Sequence, residues 1–521
     1  MRRLITVPYY PVAPVVLPSL NAATLTATPV SSSSITLTVS YAGPPSAVSY
    51  TFWQWDAGHS AWVVLVTQAG AAYAVNGLTA GVTYQFMAVA NTNETPSRAS
   101  GPGFATSGTG AGAVRWAPGH YMRSNEVDRS ASGQITNKRA EQTVLLASGA
   151  NVLGWAGNYT WALLDKGKMT ASLASNGVLT VSALGTVPSL AVGNVVGWSG
   201  FTSSVQISSQ LTGGAGSTGT YQTNYGGAAV GSQSFHAYDF SHIDADITAC
   251  SPKSVIIQVQ GSFGGGSMPT WITGDASYGS SPNNGSYGYW NGPQGNPTYV
   301  VVAYWRSVVM NEWILLMQAL GYYYNANTAV QGVIDGNDTS FGLANGSDYS
   351  IAGYRTQFDA LGTAAVAAMP NMNWGQKHSF IEQGNIQNSA DFVQDAYVRR
   401  VAFAGPDILG YSFMLSNPRY YWAQAAYCGI AGTTPGTNYK THMASLHNVE
   451  SPELNGSGLT GSPYTPNDIF AWANVTVGIN YLIWNYIGGT GAGNWTGGTN
   501  SVLACINANP VTNLSYPSSY P

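Results

Sequence analysis

The chain has 521 residues, 45% of them apolar and only 8% charged, with a formal net charge of −4. That length suggests two to four domains, and so many aromatics with so little charge exclude disorder driven by charge excess. With no run of Lys or Arg to neutralise phosphates, nucleic acid is not an expected partner.

The first 21 residues are interrupted by Pro8, Pro11, Pro14 and Pro18. They lack the apolar core of a signal peptide, and no stretch of the chain has the roughly 18 consecutive apolar residues that span a bilayer. The expectation is an extended arm over 1–21 that docks onto a neighbouring protein, with no membrane insertion.

Residues 22–107 alternate apolar and polar with period two, as in Ile35-Thr36-Leu37-Thr38-Val39 and Ser49-Tyr50-Thr51-Phe52-Trp53, with turn clusters between the runs. This spacing predicts a β-sandwich. The segment Val75 to Asn91 resembles the fibronectin type III pattern, with Leu78 and Tyr84 at the positions of its corner leucine and tyrosine. The strand-B tryptophan of that family is missing, with Val39 nearby. The resemblance implies a spacer or adhesion module without chemistry of its own.

After the flexible linker Ser107 to Gly112, short apolar strands alternate with helical stretches. Val255 to Gln260, Ala329 to Ile334 and Tyr481 to Trp484 read as strands, and Ser307 to Gly321 as a helix ending in Gly. The alternation predicts a (β/α)8 TIM barrel over 113–167 and 235–521, with strands near 114–118, 151–155, 255–260, 329–335, 377–382, 407–413, 441–447 and 480–484. The intervening stretch 168–234 is rich in Gly, Ser, Thr and Val and alternates as strands. It is expected to be a small inserted all-β domain, since a loop of nearly 70 residues without structure would be unusual. It resembles a β module of phage tail and tail-fibre proteins.

The flanks of the insertion, Gly154-Trp155 to Asp165 and Tyr238-Asp239-Phe240-Ser241-His242-Ile243-Asp244, together with Arg115-Trp116-Ala117-Pro118-Gly119-His120-Tyr121 and Gly405-Pro406-Asp407, resemble barrel glycosidases and their phage-encoded relatives. The resemblance implies two carboxylates at the C-terminal ends of strands, one to protonate the leaving oxygen and one to attack the sugar or activate water. It places the acid/base at Asp338, beside Asn337 and one methylene shorter than the Glu of the family, and the nucleophile at Glu450, in a retaining glycoside hydrolase. Asp335 and Glu382 are further candidates. Each has a plain alternative: Asp338 as a helix cap, Glu450 and Glu382 as ordinary loop carboxylates, His120 as a satisfied structural histidine. His120, Trp155, Trp305, Glu382, Trp484 and Asn337 are the expected sugar contacts, with Trp161, Trp374 and the loop Gly279 to Gly295 carrying Tyr287, Tyr289 and Trp290 as further walls. Buried packing is the alternative for any of these aromatics.

No metal or cofactor is expected. Cys250, Cys428 and Cys505 are too scattered for a disulfide framework or zinc site, and Gly264-Gly265-Gly266 lacks the Lys of a phosphate loop. The resemblances to phage tail modules and to phage-encoded barrel relatives imply a bacteriophage virion tail or tail-fibre component, assembled in the host cytoplasm and acting at the bacterial surface. It would be oligomeric in the particle, bound to other tail proteins through arm and sandwich, and would bind or hydrolyse bacterial surface glycan. The rival readings are a non-catalytic structural or glycan-binding tail protein with a degenerate barrel and, less favoured for want of a signal peptide, a secreted bacterial carbohydrate-active enzyme.

Overall fold

A computed structural model describes residues 23–31, 34–42, 46–56, 61–76, 85–92, 103–106, 114–124, 132–261, 267–278, 289–291, 300–336, 349–377, 386–405, 427–428, 443–449, 464–489 and 493–514. The chain divides into two compact units, Met1–Val114 and Arg115–Pro521.

In the first unit, alternating sequence becomes antiparallel strands. β1 (Thr24–Ser31), β2 (Ser34–Ser40) and β5 (Ala72–Asn76) form one sheet, and β4 (Ala61–Gln68), β3 (Ala47–Asp56), β6 (Gln85–Thr92) and β7 (Gly103–Thr106) the other. The apolar positions of the first sheet, Leu25, Ile35, Leu37, Val39 and Val75, pack with Phe52, Phe86 and Ala88 of the second into one core. Period-two patterning with one buried face per sheet produces this arrangement. Leu78 and Tyr84 lie outside the described residues, as do the arm and the linker.

The second unit is built on a closed ring of eight parallel strands: β8 (Gly119–Arg123), β9 (Val152–Thr160), β16 (Ser254–Gln260), β19 (Val330–Asp335), β20 (Asn373–Lys377), β21 (Ala402–Gly405), β22 (Ser445–Val449) and β23 (Tyr481–Asn485), with β23 pairing back onto β8. Both faces of these strands are covered, as a parallel sheet requires, and nearly every residue in them is buried. Around the ring lie α1 (Ser132–Ala147), α3 (Ser241–Cys250), α5 (Ser307–Tyr324), α6 (Ile351–Ala368) and α7 (Ile386–Val398). Short elements complete the unit: α2 (Trp161–Leu164), α4 (Thr270–Thr273), the strand pair β17 (Tyr289–Asn291) and β18 (Val300–Val302), α8 (Pro466–Ala471) and α9 (Val502–Ala508). Local chemistry sets these boundaries. Ser350 caps α6 by accepting from Gly353 N at 3.1 Å, and Thr465 and Asp468 form a capping box ahead of α8, with Pro466 in its first turn.

Inserted after α2 is a second closed barrel, antiparallel and six-stranded, in the order β10 (Asp165–Leu173), β11 (Val178–Ala183), β14 (Gly219–Thr223), β13 (Val205–Gln210), β12 (Val195–Trp198), β15 (Val230–Tyr238). Met169, Leu173, Leu179, Val181, Val195, Ile207, Tyr221 and Phe235 fill it. Gly213, at φ +91°, turns the chain where an added Cβ would stand 2.1 Å from the Thr218 carbonyl, so only glycine fits.

These observations correct the expected fold class, a fibronectin type III sandwich plus a regular glycosidase-like (β/α)8 TIM barrel with a small inserted all-β domain. Eight parallel strands close, but among the described residues they are not followed by eight strand–helix repeats. Among the described residues no full helix joins β21 to β22, α8 has six residues and runs into the π-turn Trp472–Val477, and α9 has seven. The insertion is a barrel in its own right, rooted at Asp165 and Tyr238 outside the expected 168–234. Three ring strands also shift. The first begins only after Pro118, the fifth is Asn373–Lys377, upstream of the expected 377–382, and the sixth is described over Ala402–Gly405, while the expected 407–413 lies outside the described residues. Proline has no N–H to give a ladder, which fixes the first limit.

Candidate functional site

The interior of the parallel ring defines the candidate site. β16 and β22 stand four places apart in the ring, so contact between their side chains must pass through its inside. Gln258 Nε2 donates to Asn448 Oδ1 at 2.9 Å across this span. A Cβ added at Gly375 would touch Ala404, Ile334 and Leu446, and one at Gly154 the ring of Tyr121, which places these residues on the same inner face. Period-two alternation assigns the rest.

The N-terminal end of the ring is closed by polar side chains bonded to one another and to backbone carbonyls. Tyr481 Oη accepts from Ala117 N at 3.1 Å and from Asn373 Nδ2 at 3.2 Å. Tyr121 donates to the Ala117 carbonyl at 2.7 Å. Arg115 donates to the backbone carbonyls of Val330 and, at 2.8 Å, Asn325, and burial lowers its pKa to about 10. The centre is apolar or small, with Gly154, Ile256, Ile334, Gly375, Leu446 and Ile483.

The C-terminal end differs. Its inner positions carry Arg123, Asn158, Gln258, Lys377, Asn448 and Asn485, all buried. Arg123 donates to Asn485 Oδ1 at 3.1 Å, tying β8 to β23. Asn158 sits in register beside Gln258. Among these described inner positions there are amides and two cations and no carboxylate. Such a layer, at the ends of strands that converge from across the sequence, offers donors and acceptors to a hydroxyl-rich or anionic ligand. In closed parallel rings this end, with its following loops, is where binding and reacting groups are held.

Asn337, Asp338, Glu382 and Glu450 lie outside the described residues, as does most of the loop Gly279 to Gly295. The strands preceding Asp338 and Glu450 in sequence, β19 and β22, both belong to the ring. Asp335 ends β19 and is buried.

The expected contacts that lie on ring strands, His120, Trp155 and Trp484, face away from the ring's interior. His120 Nε2 lies 2.7 Å from the Asn509 carbonyl of α9's end, and its Nδ1 accepts from Trp484 Nε1 at 3.1 Å. That pair of bonds fixes the neutral Nε2–H tautomer. Burial lowers the imidazole's pKa to about 4, only partly offset by the Asn509 bond. His120 and Trp484 therefore pack between ring and helices, against Phe470. Trp155 shares the outward face of β9 with Tyr159, whose hydroxyl reaches Asp246 on α3. All three are wholly buried. Trp305 meets the edge of Tyr349 ahead of α5, and Trp161 donates to Asp165 Oδ2 at 3.1 Å. Among the residues missed by sequence reasoning, Gln258, Asn448 and Asn485, only Asn485 left a clear signal, as the lone amide at the end of the apolar run Tyr481 to Trp484.

Comparison with known proteins reaches only a small part of the chain. No family model matches the sequence, and no curated protein matches it. Among solved structures the chain is similar to a fibronectin type III domain of human collagen XX, with 22% identity, 18% of this chain and 99% of that one covered, and a TM-score of 0.16. It is also similar to the domain of human fibronectin type III domain containing protein 3, with 23% identity, 18% and 85% coverage, and a TM-score of 0.15. The twitchin kinase region of C. elegans matches at 18% identity over 18% of this chain and 17% of that one, with a TM-score of 0.15. Among the described residues no group of three or more His, Cys, Asp or Glu side chains is placed to hold a metal ion, and no helix is long and apolar enough to cross a membrane.

Proposed function

We propose that the protein is a tail or tail-fibre component of a bacteriophage particle that binds bacterial surface polysaccharide at the C-terminal mouth of its parallel ring. The observation that carries this reading is the buried layer of Arg123, Asn158, Gln258, Lys377, Asn448 and Asn485 at that mouth. Sugar hydroxyls each need a donor and an acceptor, which paired amides supply, and the two cations favour acidic sugars. The very low charge content of the chain is in keeping with a particle surface that meets neutral or acidic glycan. In this reading the arm and the sandwich unit join the protein to neighbouring tail proteins, and Asp338 and Glu450, which follow two ring strands, are the acid/base and nucleophile of cleavage. A non-catalytic glycan-binding tail protein is the second reading. It is favoured by the absence of a carboxylate among the described inner positions and by Asn-Asp in place of Asn-Glu at 337–338.

The test uses purified capsular or lipopolysaccharide glycan of a host susceptible to the particle. Binding should weaken at least tenfold in Asn485→Ala and persist in Asp338→Asn and Glu450→Gln, while depolymerisation should be lost in the last two. Binding without depolymerisation by the intact protein selects the second reading. Absence of the chain from purified particles, or binding indifferent to Asn485→Ala, overturns the proposal.

A further inference from the structure

The two barrels of the second unit meet at a cluster of buried charge that the polysaccharide reading does not use. The small barrel leaves the main chain through β10 and β15, which pair side by side from Asp165 and Tyr238 onward. Two side chains of these strands reach α5. His236 Nε2 lies 2.8 Å from Glu312 Oε2, and Lys168 Nζ pairs with Glu312 Oε1. Tyr278 donates to the same Oε1 at 3.1 Å. On its other side, His236 Nδ1 stands 3.6 Å from Asp165 Oδ2. Asp165 is itself fixed by Trp161 Nε1 at 3.1 Å and Gly167 N at 3.0 Å. The His236 and Asp165 side chains are 3% and 0% exposed, and that of Glu312 10%. A neutral imidazole has one N–H and one lone pair. Facing a carboxylate at each nitrogen, it leaves one of them confronted by a lone pair, whereas the imidazolium presents a donor to both.

We propose that protonated His236 is a clasp that, together with Lys168, grips Glu312 of α5 and fixes the small barrel against the parallel ring, and that loss of its proton loosens this grip. The charged and titratable groups facing it are Asp165 and Lys168 on β10, Tyr238 on β15, Glu312 on α5 and Tyr278 in the turn Ala276–Tyr278, with Asp275 acting on Lys168 and Tyr278 from the same turn. Burial alone would lower the pKa of His236, but Asp165 and Glu312 outweigh it and raise the value from 6.5 to about 9. Burial likewise opposes the Glu312 carboxylate, yet His236 and Lys168 hold its pKa below the ordinary 4.5. A raised imidazole value means that the contribution of His236 is complete below about pH 6.5 and is lost as pH rises through about 9. The lowered carboxyl value means that the contribution of Glu312 is present above about 4.5 and is lost as pH falls. Other contacts between the barrels among the described residues include Phe201 on Tyr322 and Gln206 to Tyr323, so an opened clasp loosens the small barrel without detaching it.

The experiment is an imidazole titration of the full chain with selectively 13C-labelled histidine, read alongside hydrogen exchange of the β10, β15 and α5 amides. The His236 resonance, absent in His236→Gln, should titrate near pH 9, fall by at least one pH unit in Glu312→Gln and rise in Lys168→Met, which removes the competing cation. Exchange in β10 and β15 should quicken severalfold in His236→Gln at pH 7, with the ring strands unchanged. Where His236→Gln fails to fold, the resonance is the one whose midpoint moves in opposite directions in the other two variants. A midpoint at or below 6.5, no resonance that responds to both variants, or unchanged exchange in a folded His236→Gln overturns the proposal.

Discussion

Gln258 and Asn448, 190 residues apart in sequence, meet through the hollow of the parallel ring with Nε2 donating to Oδ1 at 2.9 Å. The bond forms a floor beneath the mouth, because the centre of the ring below it is apolar or small. It also makes the mouth a product of ring closure, since neither strand alone brings the two amides together. Gln258→Ala strands the Asn448 carbonyl in a buried site, and leaving such a group unsatisfied costs about 1–3 kcal/mol. Gln258→Leu with Asn448→Leu replaces both amides by apolar groups of similar size and should recover much of that loss. A double-mutant cycle in urea checks this, with additive single effects as the outcome that contradicts the floor.

His120 supplies the second expectation. Its folded-state pKa is lowered from 6.5 to about 4 by burial, so between those values the unfolded chain binds the proton and the folded one does not. The contribution of the neutral imidazole is therefore complete above about pH 6.5 and declines as pH falls towards 4, by up to about 3 kcal/mol. His120→Gln can still donate to Asn509 and accept from Trp484 but does not titrate. The gap in melting temperature between wild type and variant should change by several degrees between pH 7 and pH 4.5. A constant gap would show that His120 is accessible to protons in the fold.

These two sites show what the sequence conveys and where it stops. Val255 to Gln260 and Tyr481 to Trp484 announce themselves as apolar runs, and the structure has strands at Ser254–Gln260 and Tyr481–Asn485. The helix read from Ser307 appears as Ser307–Tyr324. Asn373-Trp374-Gly375-Gln376-Lys377 carries no such run, because its inward positions are an amide, a glycine and a lysine that suit the ring's interior, and the strand was sought downstream. The more apolar Ile408 and Leu409 similarly drew the sixth strand past Gly405. Site chemistry fared worse for a related reason. Trp155, Trp484 and His120 lie on ring strands, as expected of binding residues, but residue type does not reveal which side of a strand faces outward. The phase of the alternation does, and it was set by Gly154 and Tyr121 crowding inside the ring. The contact of His236 with Glu312 depends on how a six-stranded barrel lies against α5, which no local pattern encodes.

Gly154 is where that crowding can be measured. A Cβ at this position would lie 2.3 Å from the Ser254 carbonyl and 2.6 Å from the Tyr121 ring. The first contact is with backbone and cannot swing away, so Gly154→Ala should destabilise by about 1–3 kcal/mol or more through overpacking. Gly231, on β15, has nothing within 4 Å of its added Cβ, and Gly231→Ala should be close to neutral. Urea midpoints of the two variants side by side give the comparison, and a tolerated Gly154→Ala would mean that the ring is wider between β9 and β16 than described.

Asp246 carries the largest expected effect. Fully buried on α3, it accepts from Lys138 Nζ at 2.8 Å, Arg139 at 2.8 Å, Gln142 at 3.0 Å and the Tyr159 hydroxyl at 2.7 Å, joining α1, α3 and the outer face of β9. The Lys138 side chain is only 3% exposed, so removing the carboxylate leaves its charge in a poorly solvated position. Breaking a buried pair from one side costs about 3–5 kcal/mol, more than the pair contributes over an apolar replacement, because desolvation of the surviving ion is no longer offset. Asp246→Asn should therefore lower the urea midpoint sharply, while Asp246→Asn with Lys138→Met, which removes the more buried of the two ions left behind, should regain part of the loss. If the double variant is no more stable than Asp246→Asn alone, the cost lies in the contacts to Arg139, Tyr159 and Gln142 and not in the stranded ammonium.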